Sequence, residues 1–272
     1  MNLVVGIALF FTSCVNNDTT VNKDDLNGFD FRLFQGTPAW DLAKATEDEN
    51  VDGIKREIQR NKSLVNYREP RFGQTLLQMA VKTLKFKSVE ALVELGANPN
   101  IQDKYDGSSP VMEAAKINNE FSGGPDSRYL KLLLKHGGDP NAEEKTPRRN
   151  YNSTRKTPLL NACSAGVLEY VKLLVEAGAN VNYTNEFGES ALNSATLARK
   201  PDIVIYLLNK NADFKRPMMT IINPDPRVKK GTVVYVYITD ELKKWRFKKG
   251  SPENKEQQQI IDFLKQHGMY LH

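Results

Sequence analysis

A short pattern returns along this chain at a nearly fixed interval, and a chain that repeats itself this way folds as a stack of small modules, each resting on its neighbours. A hydroxyl residue followed by Pro or an apolar pair occurs as Thr37-Pro38-Ala39, Thr75-Leu76-Leu77, Ser109-Pro110-Val111, Thr157-Pro158-Leu159 and Ser190-Ala191-Leu192. The interval is 34 residues from Thr75 to Ser109 and 33 from Thr157 to Ser190, and longer where loops are inserted. A hydroxyl ahead of a helix accepts a bond from a free N–H of the first turn, and Pro at the first helical position gives up no needed donor. Each slot therefore starts a helix. Small residues at one offset, Ala80, Ala114, Ala162 and Ala195, let neighbouring first helices approach closely. A second helix follows in each module, with apolar residues at i, i+3 and i+4: Val89/Leu92/Val93, Leu130/Leu133/Leu134, Val171/Leu174/Val175 and Val204/Leu207/Leu208. Gly96, Gly137, Gly178 and Asn211 then supply the residue that tolerates positive φ and stops the helix. Between modules, Asn98-Pro-Asn-Ile-Gln-Asp103, Asp139-Pro-Asn-Ala142 and Asn180-Val-Asn-Tyr183 carry the turn chemistry of projecting hairpins.

These residues resemble the ankyrin repeat, whose pattern runs Gly-x-Thr-Pro-Leu-His-x-Ala-Ala and closes on Leu-Leu-x-x-Gly-Ala-Asp/Asn-x-Asn. Tetratricopeptide repeats of similar length lack both the Thr-Pro-Leu start and that ending. The resemblance implies an all-α solenoid of about five to six helix-turn-helix units with an irregular C-terminal cap. The units fall at about 37–72, 73–106, 107–154, 155–187 and 188–220, with a capping unit at 221–272. It further implies that a ligand lies across the concave face made of hairpin tips and first helices. Carried onto this sequence, the tip candidates are Arg71 and Phe72, Tyr105 and Asp106, and Glu186 and Phe187, with Lys82, Lys116 and Asn193 on the first helices. The family His is replaced by Gln78, Met112, Leu160 and Asn193, so the hydrogen bonds it makes between hairpins are expected to be weakened or lost.

Two insertions interrupt the pattern, around Asn118–Asp126 and over Glu143–Lys156. Long loops on a rigid scaffold are candidate partner contacts, and Arg148 and Arg149 stand in the second. In the cap, a second helix is legible from Asn254 to His267 with Gly268 as its stop, and the first helix is expected within Val233–Phe247. Lys243, Lys244, Arg246, Lys248 and Lys249 suit a last module with one face in water.

The chain has 272 residues, 40% hydrophobic, with a formal charge of +5, and its isoelectric point is near 9.0. One elongated domain accounts for that length, and the basic excess, concentrated in the second insertion and the cap, either forms a solvated face or attracts nucleic acid, an anionic membrane or an acidic protein. Met1–Phe11 is apolar apart from Asn2 and runs into Phe11-Thr12-Ser13-Cys14, which resembles the lipobox of bacterial lipoproteins. The run is too short to span a bilayer and fits a cleaved signal. Residues 1–14 then form a lipoprotein-type signal peptide and Cys14 is the lipidation site. Residues 15–36 form a polar tether and edge cover in which Phe29, Phe31, Leu33 and Phe34 shield the first module. Cys163 is left as the one other thiol, in a slot for small core residues.

No chemistry beyond binding is indicated. His136 and His267 each precede a helix-stopping glycine, where an imidazole covers terminal carbonyls. No zinc spacing, phosphate loop or catalytic acid pair is present, and the acidic run Glu47–Asp52 reads as a solvated loop ahead of a helix. The expectation is a non-catalytic, monomeric scaffold without cofactor, metal or small-molecule substrate. It is lipid-anchored in the bacterial cell envelope, at the outer membrane or periplasmic face, and binds another protein, as an immunity-type inhibitor of a toxin or secreted enzyme would. A second reading takes Met1–Cys14 as no signal and the protein as a soluble cytoplasmic adaptor or basic nucleic-acid-associated module.

Overall fold

The computed structural model describes residues 21–118, 124–145, 155–222 and 233–271, and among these twelve α-helices, arranged as six consecutive pairs, account for nearly half. The pairs are α1 (Trp40–Glu47) with α2 (Val51–Arg60), α3 (Leu76–Lys82) with α4 (Phe86–Glu94), and α5 (Pro110–Ala114) with α6 (Ser127–Lys135). They continue as α7 (Pro158–Ala165) with α8 (Leu168–Glu176), α9 (Ala191–Leu197) with α10 (Pro201–Asn209), and α11 (Ile238–Leu242) with α12 (Pro252–Gln266). Odd-numbered helices pack on odd-numbered neighbours and even on even, so the molecule is a two-layered stack.

Local sequence explains each boundary. The hydroxyls of Thr75, Ser109, Thr157 and Ser190 accept from the backbone N–H of Gln78, Met112, Leu160 and Asn193, three residues on. At the far end of the pair, the chain turns through positive φ at Gly96, Gly137, Gly178 and Asn211. The next N–H then reaches back five residues, as in Ala97 to Leu92 O at 2.9 Å and Ala212 to Leu207 O at 3.0 Å. The apolar pairs Val89/Leu92, Leu130/Leu133, Val171/Leu174 and Val204/Leu207 are fully buried, and so are Ala80, Ala114, Ala162 and Ala195 on the inner helices.

A ladder of asparagines adds polar continuity to this apolar stacking. Asn100 donates to Gly137 O at 2.8 Å and accepts from Asp139 N–H at 2.8 Å. Asn141 repeats this with Gly178 O and Asn180 N–H, at 2.9 and 2.7 Å. Asn182 repeats it with Asn211 O and Asp213 N–H, at 3.1 and 2.8 Å. One amide spans each junction because it carries a donor and an acceptor at once.

The ends depart from the expected pattern. The Thr37 slot does not begin a helix at Pro38: Thr37 Oγ1 caps a preceding turn, donating to Phe34 O, and α1 starts at Trp40. Phe31, Leu33 and Phe34 plug the open edge of the first pair, while Phe29 stays outside. At the other end, Val233–Val236 is not helical. It is strand β2, antiparallel to β1 (Met219–Ile222), with Met219 opposite Val236 and Ile222 opposite Val233. The last inner helix is the five-residue α11, which lies within the expected Val233–Phe247 span and is braced by buried Trp245. β-branched residues in a hairpin linking two modules are better satisfied by cross-strand pairing than by a helix.

Candidate docking surface

Hairpin tips projecting beyond the inner helices carry most of the predicted binding residues, and among the described residues the tips at 71–74, 105–107 and 187–189 are each held from beneath by one buried side chain. Glu69 accepts from the N–H groups of Arg71, Phe72 and Gln74 at 2.7, 2.8 and 2.9 Å. Asp103 accepts from those of Tyr105, Asp106 and Gly107 at 3.0, 3.0 and 3.1 Å. Asn185 does the same for Phe187 and Glu189 at 3.0 and 2.9 Å, and Glu144 for Lys156 at 3.1 Å. Burial, followed by the nearby Asp106 carboxylate, pushes Asp103 above the ordinary carboxylate range, and burial does the same to Glu144. Sequence reasoning missed these braces. Their signal was an acid or amide five or six residues ahead of the capping hydroxyl in Glu69, Asp103 and Asn185.

Two of the replaced histidine positions correct an expectation. Gln78 Nε2 donates to Asp103 Oδ2 at 2.7 Å and to Ser108 O at 2.9 Å, joining α3 to the next hairpin. Asn193 Nδ2 donates to Gly188 O at 3.0 Å and Met218 O at 2.9 Å. The cross-hairpin bonds persist there because a side-chain amide offers two donors where an imidazole offers one or two.

The tip candidates differ in availability. Tyr105 is 75% exposed and Phe187 is 55% exposed. Phe72 is half-buried, its ring edge-on to Tyr105 at 5.7 Å between centroids, so it supports the neighbouring tip. Arg71 is exposed but donates to the carbonyls of Lys23 and Leu26, and Asp106 accepts from Ser108 N–H at 3.0 Å. Glu186 faces Arg155 at 3.8 Å. Cys14, Arg148 and Arg149 lie outside the described residues.

Behind the tips, the inner helices form a polar floor. Lys82 Nζ donates to Gln74 Oε1 at 3.1 Å, and Lys116 Nζ to Ser108 Oγ at 3.1 Å and Glu113 Oε1 at 3.3 Å. Burial alone would lower the Lys116 ammonium, but the negative charges of Glu113, Asp106 and Glu144 outweigh it and hold it above its ordinary value. Lys156 and Glu189 extend the floor at 3.7 Å. A cavity of about 270 Å³ opens beside Lys82 and Lys116. Among the described residues no group of His, Cys, Asp and Glu is arranged to hold a metal ion. Cys163 is buried, and burial pushes its thiol up, away from the reactive thiolate. His267 Nδ1 meets Phe263 O at 2.8 Å at the end of α12.

A model of three ankyrin repeats matches residues 121–218, and a model of a single ankyrin repeat matches residues 72–104. Protein PhlB of Serratia liquefaciens is 31% identical over 192 residues, which cover 70% of this chain and 76% of that protein. The chain belongs to the ankyrin-repeat family. An ankyrin repeat protein of Acanthamoeba polyphaga mimivirus is 33% identical over 159 residues, 47% of this chain and 37% of that protein. The neurogenic locus notch homolog protein 1 of Xenopus laevis is 28% identical over 167 residues, 61% of this chain and 6% of that protein. The chain therefore spans most of one such relative and a small part of the others. Ankyrin repeats serve as protein–protein interaction scaffolds and are generally non-catalytic. In this ankyrin chain the candidate surface for that purpose is the row of braced tips and the lysine-bearing floor behind them.

Proposed function

We propose that this ankyrin-repeat protein is a non-catalytic docking scaffold anchored to a bacterial membrane through a lipid on Cys14, with its inner face turned to a protein partner. The observation that carries the docking half is the contrast at the tips. Tyr105 and Phe187 expose large aromatic side chains on backbone that Asp103 and Asn185 hold fixed. Pre-fixed aromatics are typical binding hot spots, since little freedom is lost when a partner covers them. The anchoring half rests on the Phe11-Thr12-Ser13-Cys14 motif. No helix among the described residues is long and apolar enough to cross a membrane. Within this reading, an immunity-type inhibitor that covers the active face of a toxin or secreted enzyme is the role that suits a scaffold outside the cytoplasm. The partner is acidic, in keeping with the chain's net charge of +5.

Metabolic labelling with palmitate tests the anchor: label on the wild type and none on Cys14→Ser is the expected result, and equal, soluble, unlabelled protein from both rejects it. Affinity capture from the source cell tests the partner. Reversing the charge of Arg148 and Arg149, or replacing Tyr105 and Phe187 by Ala, should release a protein that the wild type retains.

A further inference from the structure

The first part of the docking face is already occupied by the chain itself. Residues 22–30 run across it, and Arg71 at the first tip donates to the main-chain carbonyls of Lys23 and Leu26, the second at 2.6 Å. Gly28 passes so close to the floor that a Cβ there would stand 2.9 Å from Gln74 Nε2. Phe29 follows, with Lys82 Nζ 4.6 Å from its ring centre. It forms one wall of the cavity of about 270 Å³ that Leu84, Glu113, Lys116 and Ile117 also line.

Burial changes abruptly at residue 31. Phe31, Leu33 and Phe34 are almost wholly inaccessible, whereas no residue from Val21 to Asp30 is buried and Phe29 is 55% exposed. Downstream of the boundary lies a plug held by the core. Upstream lies a mostly polar segment held by the Arg71 guanidinium on two carbonyls, by the Lys82–Phe29 cation–π contact, by Val21 N–H on Gln35 Oε1 at 3.2 Å and by partial packing of Leu26 on the core. The two contacts to the docking face are weak where water competes. The two carbonyls are brought together by the 3-10 turn Lys23–Asp25, which Leu26 N–H closes onto Lys23 O. Recognition of main-chain carbonyls is blind to sequence, so another chain that makes the same tight turn and carries an aromatic side chain in register meets the same demands. Charge selects among such chains: Asp24 and Asp25 outweigh Lys23 on the segment while Asp30 is paired with Arg32, and the surface beneath presents Arg71, Lys82 and Lys116 against Glu113.

We propose that residues 22–30 are a displaceable strap, a built-in competitor that occupies the Arg71–Lys82 end of the docking face until an acidic, aromatic-bearing turn segment of the partner takes its place. The proposal rests on the docking reading above and specifies how that face is gated. Its test needs no partner. A fluorescent peptide spanning residues 21–30 is titrated into the intact wild-type chain, into Phe29→Ala and into Phe29→Ala/Arg71→Ala, with unchanged melting temperatures as the control for folding. Because an occupied site lowers apparent affinity by the fraction left open, the Phe29→Ala chain should bind the peptide about two- to fivefold more tightly than wild type. Adding Arg71→Ala should abolish that gain. Equal binding to wild type and Phe29→Ala, or binding to neither, overturns the strap and leaves the docking reading standing. Failure to find a partner would count against the docking reading and leave the peptide result intact.

Discussion

Asp103 is the residue on which the most exposed aromatic depends. Its carboxylate satisfies three tip N–H groups and the amide of Gln78. Asp103→Ala strands these donors and should destabilise the protein by about 2–3 kcal/mol in urea unfolding, as expected for buried unsatisfied groups. Tyr105→Ala, at the tip itself, should change stability by less than about 0.5 kcal/mol. Asp103→Asn keeps an acceptor for the tip, as Asn185 demonstrates in a later hairpin. The pH dependence has a definite sign. A carboxyl whose folded value is raised holds its proton more tightly in the folded state, so its favourable contribution is complete below the ordinary value of 3.8. That contribution fades as pH climbs through the raised folded value. Wild type should therefore lose stability relative to Asp103→Asn on going from strongly acidic to neutral pH. A constant difference between the two across that range would show that the carboxyl is not perturbed.

At the scale of elements, packing and polar continuity make separable contributions. Leu174 is fully buried in α8, and Leu174→Ala should cost about 2–5 kcal/mol, in the range for large-to-small changes in a core. Asn141 is exposed but joins two modules through Gly178 O and Asn180 N–H, and Asn141→Ala should cost about 1 kcal/mol by the same measurement. Elements governed by periodicity were legible in the sequence: outer-helix triplets, the capping hydroxyls of Thr75, Ser109, Thr157 and Ser190, though not Thr37, and the stops at Gly96, Gly137, Gly178 and Asn211 took their expected roles. The β1–β2 hairpin was not, because four residues such as Val233–Val236 carry too little pattern to separate a strand from a helix turn. At the candidate site, the exposure of Tyr105 and Phe187 was legible from their place in the repeat. The commitment of Arg71 to Lys23 and Leu26 was not, since contacts across some 45 residues leave no local trace.

Among the described residues, the tips and floor residues belong to the inner-helix layer of a two-layered stack and the outer helices form the second layer. Such a stack is rigid without a large central core, since each module is stabilised by the interfaces with its neighbours. The central claim, that this inner face and not the outer helices receives a protein, is open to direct test by site-specific photo-crosslinking in the source cell. A photoreactive phenylalanine analogue is placed at Tyr105, at Phe187, or at Tyr206 on outer helix α10, where Lys172 and Lys210 flank the ring. The same discrete adduct should form from positions 105 and 187 and be absent from position 206. Adducts from 206 alone, or equally from all three, would contradict the claim.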